Sequence, residues 1–200
     1  MTNMKSLTES DLRRASQLDL TGISCIESAL IAVVEVDVVM RPILPMAIEV
    51  HNGEVDVKTA YVPGIDSFAI KMSPGFFDNP TIGLPSTSGL MVLFSAKTGV
   101  LEALLLDNGY LTDIRTAAAG AVAARHLSRD DSRYACVIGA GAKGALQLKA
   151  LCLVRPIEQA SIWGHDPSKA KALAKRLTKE LDINVTAAQD ISNAVTEADI

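Results

Sequence analysis

Apolar and polar positions follow three successive rhythms along the chain. From Leu7 to Val39 apolar residues recur at helical spacing, with Leu20, Ile23, Ile26, Ala29, Leu30 and Val33 on one stripe and Thr8 or Ser10 placed to cap. This predicts helix through that stretch. From Pro42 the texture changes to short apolar runs, Met46 to Val50, Val55 to Tyr61, Ser67 to Met72, Gly89 to Phe94 and Leu101 to Leu105. Between them stand the turn signals His51-Asn52-Gly53, Pro63-Gly64, Pro74-Gly75 and Lys97-Thr98-Gly99, which predict an antiparallel sheet of hairpins and meanders. The Ala-rich stretch from Ala117 to Leu127 predicts a closely packing helix, and the polar cluster Ser128 to Arg133 reads as a domain boundary.

Beyond it the pattern is strand, helix, strand, helix: Tyr134 to Ile138, Ala142 to Val154, Ala160 to Trp163, and Pro167 to Leu181 with proline in its first turn. A strand from Asn184 to Ala187 and a helix from Ile191 to Ala198 follow. Right-handed crossovers make the strands parallel neighbours. The expected fold class is α/β: a Rossmann-type doubly wound parallel sheet over residues 131–200, incomplete in this chain, behind an α+β domain over residues 1–130. The rhythm stops at Asp199-Ile200, where a fourth strand is due, so the 200 residues are expected to be part of a longer protein.

Composition narrows the functions. Nineteen basic against 23 acidic side chains give a net charge of −4 with no dense basic block, which argues against nucleic acid as a partner. Met1 to Arg14 is too polar for a signal peptide. The longest apolar stretch, Ala29 to Met40, is broken by Glu35 and Asp37 and falls short of the roughly 20 residues of a membrane span, so a cytoplasmic protein without a membrane partner is expected. Cys25, Cys136 and Cys152 are odd in number and widely spaced, and His51, His126 and His165 are scattered. Neither a disulfide framework nor a metal site is expected.

The candidate chemistry begins at Gly139-Ala140-Gly141-Ala142-Lys143-Gly144, a Gly-x-Gly-x-x-Gly run between an apolar strand and a helix. Gly139 permits the tight turn, Gly141 lets the backbone approach a pyrophosphate, and Gly144 lets the helix pack on the sheet. Amides around Ala142 and Lys143 then point at the anion. The end of the next strand normally reads the adenosine ribose, with a carboxylate for NAD. Gly164 occupies that slot here, followed by His165, which could meet a 2′-phosphate, and Asp166, which could swing back to a 2′-hydroxyl. NAD and NADP both stay open, as does a solvated turn touching neither.

Three charged residues stand in apolar company. Lys71, within Phe68-Ala69-Ile70-Lys71-Met72, reads as a proton shuttle if partly buried, or as an aggregation-blocking lysine on an edge strand. Arg115, three residues after Thr112, falls in the expected first turn of the Ala-rich helix, where a cation is disfavoured unless it clamps a carboxylate or pyrophosphate. Arg41, between Val38-Val39-Met40 and Pro42-Ile43-Leu44-Pro45, calls for an anionic partner, either a substrate or an internal carboxylate. Lys58, alternating with Val55, Val57 and Tyr61, reads as a solvated strand position.

The sequence resembles the ornithine cyclodeaminase/mu-crystallin family over nearly the whole chain, most clearly in Phe68-Ala69-Ile70-Lys71, in Leu111-Thr112-Asp113-Ile114-Arg115-Thr116-Ala117-Ala118-Ala119 and in Ile138-Gly139-Ala140-Gly141. Gly53 to Tyr61 and Ser73 to Pro80 look most like the members assigned to ectoine utilisation. The resemblance implies an NAD(P)-dependent enzyme interconverting amines and imines, or cyclising and deaminating an amino acid. It further implies a small amino or imino acid substrate and a homodimer formed through the sheet domain. By the same likeness, Arg41 and Arg115 match positions that hold the substrate carboxylate, Lys71 matches a lysine credited with substrate binding and proton transfer, and Thr87 falls near a cofactor contact. The family commonly has Gln where Lys143 stands, and it relies on an aspartate in the second half of the nucleotide domain that this sequence does not contain. A non-catalytic NADP(H)- or ligand-binding protein of the mu-crystallin type is the other reading.

Overall fold

In a computed structural model the described residues, 4–200, form β1 (Lys5–Thr8), α1 (Glu9–Ala15), α2 (Leu20–Glu35), β2 (Val39–Met40), β3 (Leu44–Ile48), β4 (Gly53–Tyr61), β5 (Ser67–Phe76), β6 (Leu90–Ser95), β7 (Leu101–Leu106) and α3 (Tyr110–Leu127). Then come β8 (Tyr134–Ile138), α4 (Ala142–Cys152), β9 (Gln159–Trp163), α5 (Pro167–Leu181), β10 (Asn184–Ala187) and α6 (Ile191–Glu197). The first three positions of the polar stretch Met1 to Arg14 lie outside the described residues. Among the described residues no single helix is long and apolar enough to cross a membrane.

Two compact units divide the chain, residues 4–17 with 28–112, and residues 18–27 with 113–200. The division therefore falls inside α2 and α3 rather than at 130/131, where the polar cluster suggested it. The reason lies in packing. Ala117, Ala118, Ala121 and Val122 of α3 bury against Ile23 of α2 and Ala150 of α4, which small side chains allow at close range. Arg155, only 7% exposed, ties down the end of α3 by donating to the carbonyls of Ala124, Arg125 and Ser128. Glu27 adds hydrogen bonds from the Arg125 guanidinium at 2.6 Å and with the His126 imidazole. The polar cluster is thus a surface turn within the second unit.

The first unit is a seven-stranded sheet in the order β1-β7-β6-β5-β4-β2, with β3 also paired to β4. From β3 to β7 the pairings are antiparallel, as the turn signals predict, whereas β1 joins β7 in parallel. The expected continuous helix from Leu7 to Val39 is instead a strand and two helices. Pairing of Lys5–Thr8 with Ala103–Leu106 outweighs local helical periodicity, and Thr8 caps α1 in a reciprocal box with Asp11. After the break Asp19 Oδ1 accepts the Gly22 N–H at 2.7 Å and helix resumes. Pro74-Gly75 is also no turn but lies inside β5, opposite Val55 and Glu54. Proline has no N–H to offer the ladder there, and its carbonyl accepts the Ser88 N–H at 3.1 Å.

A parallel sheet in the order β10-β9-β8 organises the second unit. Ala170, Leu173, Ala174 and Leu177, at i, i+3, i+4 and i+7 of α5, pack with Leu148, Ile162 and Val185 into its core. Burial of each large side chain contributes roughly 1.5–3 kcal/mol. On the other edge of β8 the Ile200 carbonyl accepts the Cys136 N–H at 2.8 Å. The mixed α/β class with a parallel sheet is the one the periodicity predicts.

Candidate functional site

Five residues of β8 lead straight into Gly139, whose φ of +123° is a conformation that L side chains rarely adopt. Gly141 is the N-cap of α4 and places no side chain on the helix end. By contrast Thr8, Asp166 and Asp190 cap α1, α5 and α6 with side-chain oxygens. The first-turn amides of α4 are therefore left to a ligand or water, at the electropositive end of the helix dipole. A Cβ on Gly144 would lie 2.1 Å from the Gly139 carbonyl oxygen, so loop and helix touch backbone to backbone. This geometry fits the pyrophosphate of a dinucleotide: a turn with no side chain larger than the Ala140 methyl, facing unclaimed amides.

A groove of about 510 Å³ opens beside the turn, bordered by Gly139, Gly141, Trp163, Gly164, His165, Asp166 and Lys169. The structure thus brings together the two parts that the sequence separated, the glycine turn and the end of β9. Gly164 is confined, because a Cβ there would stand 2.9 Å from that of Ala140. His165 packs edge-on against Trp163, with ring centroids 5.0 Å apart. Asp166 is already occupied: its Oδ1 accepts the N–H of Ser168 at 2.9 Å and of Lys169 at 3.3 Å, and the Ser168 hydroxyl at 2.6 Å. Those bonds, the serine hydroxyl foremost, hold the Asp166 carboxyl below the usual carboxylate range. Ala142 opens α4 and is exposed, whereas Lys143 and Gly144 border a different groove with Gly120 and Gln147. Lys143 is therefore not part of the groove beside His165.

In the first unit Lys71 is half-buried on β5, between β4 and β6, and its Nζ donates to Thr112 Oγ1 at 3.2 Å. β5 is an interior strand, so the edge-strand reading of Lys71 fails. Its cross-strand neighbours are Lys58 and Met91, and Lys58 pairs with Asp56 at 3.0 Å. That pair screens two like charges facing each other across the ladder. Arg41, between β2 and β3, is exposed and makes no hydrogen bond or ion pair with any described residue, so an internal carboxylate does not hold it. Thr87 is exposed and bridges to Gly75.

Arg115, in the second unit, is exposed on α3. That helix starts at Tyr110, earlier than the alanine run suggests, because Asp107 Oδ2 accepts the Leu111 N–H at 2.9 Å. Arg115 consequently sits in the second turn, beyond the reach of the first-turn dipole argument. Burial pushes the Cys152 thiol up to about 11, which keeps it protonated and unreactive at neutral pH.

Trp163, Lys169, Lys171 and Thr112 escaped the sequence reading. Lys171 lines a neighbouring groove that His165 and Trp163 also border. The available signal was Lys169 itself, a cation in the first turn of a helix, where the dipole disfavours it.

The sequence profile described as the ornithine cyclodeaminase/mu-crystallin family matches residues 3–200. A Rhizobium meliloti (strain 1021) protein provisionally named a dehydrogenase is 60% identical over 200 residues, covering 100% of this chain and 61% of its own. An uncharacterized cyclodeaminase of Sinorhizobium fredii is 56% identical over 201 residues, with the same two coverages. Among solved structures, the Thermococcus litoralis Delta(1)-pyrroline-2-carboxylate reductase in complex with NADH and L-proline superposes with a TM-score of 0.92 at 31% identity, over 98% of this chain and 60% of that one. The chain thus spans about three fifths of the length of each. With its profile match, its two-unit fold and its glycine cradle, this chain belongs to the ornithine cyclodeaminase/mu-crystallin family.

Proposed function

We propose that the protein is an NAD(P)-dependent enzyme acting on the carbon next to the carboxylate of a small imino or amino acid, reducing an imine or oxidising the amine. The observation that carries the reading is the glycine-rich cradle from Gly139 to Gly144 at the start of α4, which no side chain caps. Likeness to a reductase solved with NADH and L-proline supports the same cofactor and substrate class. Bound nicotinamide supplies or accepts the hydride. The first-turn amides of α4 hold the pyrophosphate, and Arg41 and Arg115 hold the substrate carboxylate, each offering a guanidinium with two parallel donors. Lys71 binds the substrate and manages the proton on its nitrogen, with Thr112 Oγ1 orienting the ammonium. Thr87 contacts the cofactor. The sheet unit pairs with a second copy, which its exposed Val39, Met40, Leu44 and Met46 would suit.

The test follows NAD(P)H absorbance with the full-length protein and cyclic imino acids. The ectoine-like stretches Gly53 to Tyr61 and Ser73 to Pro80 put ectoine-related imines in the same panel. Oxidation of the reduced cofactor is expected, with Lys71→Ala lowering turnover by about 100-fold while nucleotide affinity holds, the scale of a lost general acid–base. No oxidation with any imine would refute the reductase reading. A cyclodeaminase is the second reading, favoured by the 56% identical relative of that name. It would release ammonia from ornithine or lysine without net consumption of cofactor.

A further inference from the structure

We infer that the groove beside His165 and Lys169 takes the 2′-phosphate of an adenosine ribose, so that the protein binds NADP(H) in preference to NAD(H). The inference rests on the cofactor reading above and decides what that reading leaves open. In a strand-turn-helix nucleotide unit, a carboxylate at the end of the second strand selects NAD by accepting from the 2′-hydroxyl. Here that position is closed. Any side chain on Gly164 starts 2.9 Å from the Ala140 Cβ, and Ala140 belongs to the turn pinned by the contact of Gly144 with Gly139.

The nearby carboxylates are committed elsewhere. Asp166 Oδ1 takes three hydrogen bonds as the cap of α5, and rotating it to a ribose would sacrifice that cap. Asp190, following β10, accepts the Asn193 N–H at 2.8 Å as the cap of α6. Cations, in contrast, are available. The Lys169 ammonium forms no salt bridge with a described residue, although its field helps lower the Asp166 carboxyl. It occupies the first turn of α5, where the helix dipole disfavours a cation and the Asp166 cap offsets part of that cost. His165 is held edge-on by Trp163, so its ring nitrogens are presented without much loss of freedom. Lys171 stands in the adjoining groove. A phosphate with a charge of about −1.5 to −2 satisfies this set, and a neutral hydroxyl does not.

The test is a titration of the full-length protein with NADPH and with NADH, read by nucleotide fluorescence, together with competition by adenosine 2′,5′-bisphosphate against ADP. NADPH is expected to bind at least about tenfold more tightly, and the bisphosphate to compete better, the scale of one charge-assisted hydrogen bond. Lys169→Glu and His165→Ala should each weaken NADPH by about tenfold while NADH changes less than about twofold and the melting temperature holds. NADH binding as tightly as NADPH overturns this inference and leaves the cofactor reading standing. Variants that weaken both nucleotides equally overturn the assignment to these two residues. Binding of neither nucleotide overturns the cofactor reading and this inference with it.

Discussion

Leu148, Ile162 and Leu177 of the second unit are fully buried, while Leu44, Met46 and Met40 of the first unit stay more than half exposed, Leu44 at 66%. The fully buried cluster of the sheet unit is small: Leu12, Ala103 and Leu105, with Leu7, Met91, Leu93, Tyr110 and Leu111 packed around it. One unit closes its core with residues near in sequence, alternating strand and helix. The other packs Leu12 of α1 with Ala103 and Leu105 of β7 and leaves Met40, Leu44 and Met46 of β2 and β3 exposed. The contrast separates two kinds of instruction: a core that local periodicity completes, and a sheet whose apolar residues local periodicity alone does not bury.

Truncation is the strongest way to break the comparison. Leu177→Ala should cost about 2–5 kcal/mol, while Leu44→Ala should stay within about 0.5 kcal/mol at low protein concentration. Urea denaturation of both variants checks this, repeated at high concentration. A Leu44→Ala cost that appears only there would show that a second copy buries the sheet. Next in size is Gly144→Ala, whose new methyl must displace the Gly139 carbonyl from 2.1 Å. A loss of about 1–3 kcal/mol is expected, with nucleotide binding abolished, measured by thermal melting and by nucleotide fluorescence. A variant that still binds with parent affinity would detach the cradle from the cofactor.

The smallest effect concerns the hold of α2 on α3 within the second unit. The His126 hydrogen bond first, and the Arg125 charge and hydrogen bond after it, keep the Glu27 carboxyl below its ordinary value of 4.5. A carboxylate with a depressed folded value stabilises fully above its unfolded value and loses that contribution as the pH falls through the folded one. Glu27→Gln should therefore lower the melting temperature slightly at pH 7, and the gap to the parent should close as the pH drops below 4.5. A gap that persists at pH 3 would assign the effect to packing instead.

Much of the second unit was legible because its signals are local. Tyr134–Ile138, Pro167–Leu181 and Asn184–Ala187 are bounded in the structure where periodicity bounds them, and proline opens α5. The first unit misled where a distant partner overrides local preference. Lys5–Thr8 is a strand because β7 pairs with it, and Pro74-Gly75 continues β5 because β4 lies alongside. Because Asp107 starts α3 a turn earlier, Arg115 stands in the second turn of its helix, and Lys169 is a cation that does occupy a first turn.

The sequence by itself determined the order of elements from β8 to α6, the glycine turn and the set of charged residues available to a ligand, because each depends on spacing along one segment. Only the tertiary structure decided that Lys71 lies on an interior strand bonded to Thr112, that Asp166 serves as a helix cap, and that Ala140 closes the slot at Gly164. These depend on which backbones approach one another, and a Cβ shut out at 2.9 Å by a residue 24 positions away leaves no mark in local spacing.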